Sequence, residues 1–186
     1  MSYYAIALFA HIVGALGFFV ALGVEWIGAR QLRRAATAEQ AGLWVRVATS
    51  VRLLGMASMV TILVAGFYMM LVGQVGGAWL IVAFWAMVLL AVLAVALSFR
   101  PMAAIGRAAS AETGPVSPAL RQRLRGPRLW IGIQARVAIA LGIVFLMTVK
   151  PGLVGSLLTI AVAALLGLGA ALPTLSRARA REEPAT

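Results

Sequence analysis

The chain has 186 residues, 63% of them hydrophobic and 11% charged, with a formal net charge of +11 and a mean hydropathy of +1.00. A soluble domain of this length cannot enclose so much apolar surface, whereas a helical bundle solvated by lipid has no need to. Cysteine and aspartate are both absent, which excludes disulfides, thiolate metal sites, iron–sulfur clusters and cysteine nucleophiles, and removes many carboxylate-dyad schemes.

The first apolar stretch, residues 3–27, is interrupted only by His11 and Glu25. At 1.5 Å of rise per residue it makes a helix of about 37 Å, enough to cross the hydrocarbon core with some tilt. No basic residue precedes it and it is too long for a signal-peptide core, so it reads as a retained anchor. Ala7, Ala10, Gly14, Gly17, Ala21 and Gly28 follow steps of three and four, with Val24 in the one gap, and form a groove of small side chains. Beside it Tyr4, His11, Phe18 and Glu25 recur every seven residues and nearly align on a neighbouring face.

A basic connector follows, in which Thr37 and Gln40 have capping-box spacing and Leu43, Trp44, Val47 and Val51 repeat at helical intervals. That pattern predicts a helix lying along the membrane surface. The second span is residues 51–72, opening with Arg52, and the third is residues 79–99, apolar enough that no polar face is visible in it. Arg100-Pro101 is expected to end it. The next connector carries a short basic helix with Ser117 as N-cap, Pro118 in its first turn and Gly126-Pro127 as its stop. The fourth span, residues 129–149, contains Gln134 and Arg136, and a turn at Lys150-Pro151-Gly152 leads into the fifth, residues 153–172. Pro173 is expected to close the last helix, leaving residues 177–186 as a disordered or surface-bound tail on a single bundle domain of residues 1–176.

Fifteen of the sixteen basic residues fall in the connectors after spans one and three, at the start of span four, or in the tail; only Lys150 falls at the other end. The predicted fold is therefore an all-α polytopic bundle of five transmembrane helices plus short interfacial helices, with the N-terminus outside and the C-terminus cytoplasmic. The high net charge then reports orientation and contact with anionic lipid heads. Nucleic acid is not the expected partner, because the basic blocks are not interleaved with exposed aromatics.

A lone charge in mid-membrane costs about 2.5–3.5 kcal/mol on insertion scales, so Glu25 is predicted to pair with Arg136 or Arg52, or to stay wet at the interface beside Trp26 and Arg30. His11, the only histidine, lies about 12 Å down span one. One reading is an interhelical hydrogen bond; the other is an axial ligand, with Gly14 leaving room for a flat macrocycle and Met87 at similar depth as a second ligand. The small-residue groove likewise fits close helix packing or a cofactor pressed against it. No nucleophile triad, phosphate loop or metal-hydrolase motif is present.

The segments FAHIVGALGFFVALGVEW, VTILVAGFYMM and ARVAIALGIVFLMTVKPG resemble a family of bacterial integral-membrane proteins of unknown function. That family is distantly similar to copper-resistance D-type proteins and to the small membrane protoporphyrinogen oxidase, a haem-b protein. The resemblance covers residues 4–152. It implies a bacterial inner-membrane protein with His11 as ligand, and marks Arg136 and Lys150 as family-like positions. This chain departs from those relatives in having no intramembrane histidine or lysine beyond His11.

The expected function is non-catalytic binding of haem b, or a similar flat cofactor, through His11, for electron transfer, haem handling or sensing. A cofactor-free accessory subunit of a homo-oligomer or larger membrane complex is the alternative, with copper transport or porphyrin oxidation behind it.

Overall fold

The computed structural model describes residues 3–73 and 76–179, with side chains as far as Leu172. In chain order it contains α1 (Tyr3–Leu32), α2 (Ala38–Ser50), α3 (Arg52–Gly73), α4 (Ala78–Leu93), a π-helical segment (Ala94–Phe99), α5 (Arg100–Ser110), α6 (Pro118–Arg125), α7 (Pro127–Val149) and α8 (Leu153–Arg179). Among the described residues there is no strand beyond an isolated bridge between Thr37 and Pro115. Five helical stretches are long and apolar enough to cross a membrane, so the protein is an all-α, multi-pass bundle.

The ends of these elements follow local chemistry. Thr37 Oγ1 accepts from the Gln40 amide at 3.3 Å, and the Gln40 side chain accepts from the Ala36 amide at 2.9 Å, a capping box reaching one residue further back than the usual form. Only Val51 separates α2 from α3, making residues 38–73 an almost continuous helix. Ser117 caps α6 by accepting from the Leu120 amide at 3.2 Å, with Pro118 in the first turn where no amide is needed.

Two expected stops are overridden. The helix of span three runs through Arg100-Pro101 to Ser110 by way of the π-helical segment. Inside an α-helix Pro101 would remove a hydrogen bond and crowd the carbonyl of Leu97. The wider π turn, in which the Arg100 amide reaches back to the Val95 carbonyl, takes up an extra residue and lets the helix continue. Likewise α8 continues past Pro173 to Arg179, and the tail beyond it lies outside the described residues.

The bundle is organised around α7. In its membrane-crossing window 61% of residues are buried, against 11–28% in the other four. At the arginine-rich end, Leu32, Ile105, Leu120, Leu124 and Ile133 join α1, α5, α6 and α7 in one core. Toward the Lys150 end Phe18, Leu90, Ile139 and Leu146 join α1, α4 and α7 in a second. Large apolar residues such as Leu53, Trp85, Val154 and Leu166 are exposed, as a lipid-facing surface allows.

Lipid gives apolar faces no reason to leave it, so helix contact here rests on close approach at small residues. Gly14 of α1 lies against Ser58 and Ile62 of α3, Ala21 against Gly55, and Gly28 against Ala48 of α2. Gly167 of α8 meets the backbone of α7 so closely that a Cβ there would fall 2.7 Å from Ala135 Cα and 2.8 Å from the Gln134 carbonyl oxygen. Gly169, two residues on, has nothing within 4 Å of the same added atom. Gly167→Ala is therefore expected to lower stability by about 1–3 kcal/mol, the cost of overpacking a well-filled contact. Gly169→Ala, measured by thermal unfolding in the same detergent, should be neutral or slightly stabilising.

Candidate functional site

Two polar features lie inside the bundle, one toward each end. At the arginine-rich end the Arg136 guanidinium of α7 and the Glu25 carboxylate of α1 form a bidentate pair, one arm of which is Arg136 Nη1 to Glu25 Oε1 at 3.2 Å. Arg136 Nη1 also donates to Ser98 Oγ at 2.8 Å. All three side chains are buried. Ser98 belongs to the π-helical segment, and α7 approaches that segment at Gly132, where a Cβ would overlap Leu97.

Of the two cations considered for Glu25, the fold brings Arg136. Arg52 instead lies over the Phe99 ring, 4.3 Å from its centroid. Burial of Glu25 also removes the wet-interface reading: Trp26 donates from Nε1 to Gln134 Oε1 at 2.7 Å, and Arg30 stacks 5.4 Å from the Trp26 ring. Both Glu25 carboxylate oxygens and the Ser98 hydroxyl accept from Arg136, the kind of pairing by which a buried charge is tolerated.

At the other end His11 Nδ1 lies 3.0 Å from the Ile62 carbonyl oxygen of α3. A carbonyl only accepts, so Nδ1 carries the ring proton and, in the neutral imidazole, Nε2 keeps its lone pair. Gly66 allows this approach, since a Cβ there would stand 3.3 Å from the imidazole Nδ1 and Cε1. His11 and Met87 both line a cavity of about 890 Å³ between α1, α3, α4 and α7. That volume falls in the range of roughly 300–1,000 Å³ that holds small-molecule ligands. Apart from His11 and Thr148 its lining is apolar, and no charged side chain reaches it. Leu16, Phe67, Ile81 and Phe84 line it while remaining exposed on the bundle surface, so the mouth opens toward lipid.

Gly14 does not serve as expected. It is buried against α3 and is not part of the cavity wall; its missing side chain makes room for a helix, not for a macrocycle. The groove of small residues is helix packing over Gly14, Gly17, Ala21 and Gly28. The space beside His11 lies instead between α1 and α3 on one side and α4 and α7 on the other.

Sequence reasoning passed over three contributors. Ser98 is the single hydroxyl side chain in an otherwise apolar third span, and that isolation was the available signal. Met70 and Met147 line the cavity with Met87 and carry no signal that separates them from packing residues. Among the described residues no group of three or more His, Cys, Asp or Glu side chains is placed to hold a metal ion. Searches against protein-family models, curated proteins and solved structures found no match to this chain.

The Glu25–Arg136 geometry sets a clear expectation. Glu25→Gln leaves a buried guanidinium without its counter-charge and should cost about 3–5 kcal/mol, lowering the midpoint of thermal unfolding by roughly 10 °C. The double variant Glu25→Leu with Arg136→Met should regain most of that loss, because no unpaired charge remains. Equal stability of the wild type and Glu25→Gln in detergent would contradict the pair.

Proposed function

We propose that the protein binds haem b or a similar flat, apolar cofactor in the lipid-facing cavity, with His11 as its polar contact, and that it does so as a multi-pass protein of the bacterial inner membrane. The observation that carries the reading is the state of the His11 ring. A backbone carbonyl fixes one nitrogen, and no described protein group takes the other. This is the arrangement by which a histidine is oriented to present a lone pair to a metal.

Ligand chemistry follows from that lone pair. Nε2 accepts; it does not donate. It therefore suits a Lewis-acidic metal centre or a ligand O–H, and it does not suit a ligand carbonyl. Haem satisfies this requirement through its iron, and the apolar walls suit the faces of the macrocycle. His11 would hold such a group, Met87 would stand in its pocket, and the group would supply a one-electron redox centre or a ligand-sensing site. The connectors rich in arginine fit the cytoplasmic side, with the cavity in the outer half of the membrane.

A second reading has its own observation. His11 shares the cavity with Met70, Met87 and Met147, and thioethers with an imidazole are a soft donor set suited to Cu(I). An accessory subunit with an empty pocket is the third.

Protein purified in mild detergent from its native membranes distinguishes these readings. Under the cofactor proposal it shows a Soret band that disappears in His11→Ala, with the fold retained by circular dichroism. A colourless, monodisperse wild type, even after incubation with hemin, would sink it. Copper in stoichiometric amount by elemental analysis, lost on combining Met87→Leu with Met147→Leu, would move the assignment to the soft-metal reading.

A further inference from the structure

We propose that Lys150, held over Trp79 just beyond one end of the His11 cavity wall, receives an anionic group of the bound ligand, so that the site selects a flat molecule with an acidic edge turned away from His11. The inference rests on the cofactor reading above and adds the ligand's charge and orientation to it.

Lys150 is the only lysine in the chain and the one basic residue at this end of the bundle. A cation on this side runs against the distribution of the other fifteen. Nor does the turn explain it. Lys150 caps α7 in the left-handed conformation, with φ 51° and ψ 51°, its amide donating to the Leu146 carbonyl at 3.0 Å. Glycine or asparagine holds such a cap at lower cost.

The side chain is aimed at something specific. Its Nζ lies 5.7 Å from the centroid of the Trp79 ring. That indole is buried, and the backbone before it is shaped to receive it: Gly77 has φ 155°, and a Cβ there would fall 2.7 Å from Trp79 Nε1. Leu80 and Ile81, which follow Trp79, line the cavity, as do Met147 and Thr148, which precede Lys150. Lys150 and Trp79 do not themselves line the cavity, so the ammonium group stands just beyond the end of these two wall segments.

Among the described residues the ion pair is made elsewhere, by Glu25 and Arg136, and no glutamate of the sequence falls in the loops at this end. The cavity walls hold no charge. The cation that follows the cavity wall in sequence is thus Lys150, at the helix end, where an acidic edge extending past the apolar walls would meet it. The plain alternative is an interface anchor, a lysine resting on a tryptophan near the membrane surface and the C-terminus of a helix. That alternative predicts no dependence of ligand binding on ligand charge.

The test is a titration of the full chain, purified without cofactor in detergent, with hemin and with hemin dimethyl ester, which lacks the free carboxylates. Binding is read from the Soret band in the wild type, Lys150→Gln and Lys150→Arg. Lys150→Gln is expected to weaken hemin binding about 3- to 10-fold, the range for one partly exposed charge contact, and to leave the ester unchanged. Lys150→Arg should stay near the wild type. Hemin binding equally well to the wild type and Lys150→Gln overturns the proposal, as does a parallel loss of hemin and ester. If neither compound gives a Soret band dependent on His11 in the wild type, the cofactor reading fails and the Lys150 contact fails with it.

Discussion

The contact between Glu25 and Arg136 is the constraint from which the rest of the bundle takes its setting. The two residues are 111 positions apart and sit on helices with no short connection between them. Neither charge is tolerable alone within lipid-facing helices, so the pair fixes both the rotation of α1 and its height against α7. Ser98 adds a third strand of connectivity, tying the π-helical segment to the same guanidinium. The heptad stripe on α1 carries this setting along the helix. With Glu25 turned to α7, Phe18 is placed in the core with Leu90 and Ile139, and His11, about 21 Å further along the helix axis by rise per residue, reaches the cavity wall.

Close packing supplies what a hydrophobic driving force cannot supply inside a membrane. α1 and α3 meet through Gly14, Gly17, Ala21 and Gly55, and α8 meets α7 through Gly167. These seams bring backbones together and leave large side chains facing lipid. The cavity lies where bulkier side chains, among them Phe19, Phe84 and Met147, line the space between the helices. Tight seam and open pocket are therefore two outcomes of one sequence property, the distribution of small residues along α1, α3 and α4.

This also explains which features were legible beforehand. Hydropathy and span length depend on single segments, so five crossings could be read directly, as could the caps at Thr37 and Ser117. Polarity inside a span is equally visible, which is why His11, Glu25 and Arg136 stood out. Partner choice is a property of two helices at once. Gly14 could have faced a cofactor or a helix, and only the position of Ile62 and Ser58 decides for the helix. Arg52 and Arg136 both lie toward the arginine-rich ends of their spans, and the fold turns Arg52 to Phe99 instead. The central place of α7 was hidden for the same reason. Its composition resembles that of its neighbours, and its burial comes from what surrounds it. Pro101 misled in another way: the rule that proline stops a helix holds for α geometry, and the chain leaves that geometry for six residues.

The two polar features differ in a way that bears on function. Around Arg136 both Glu25 oxygens and the Ser98 hydroxyl accept from the guanidinium, as expected of a group whose task is to hold helices in place. Around His11 the accounting is incomplete. One nitrogen is bound to a backbone carbonyl, which no side-chain substitution at Ile62 removes, and the ring edge left over belongs to a residue lining an apolar space open to lipid. A histidine whose only task was to join α1 to α3 would need no such space beside it. The bond to Ile62 fixes the orientation of the ring, which belongs to the wall of the cavity. Under the proposal made above, a ligand with an electrophilic centre or a hydroxyl would complete the contacts of the second ring nitrogen.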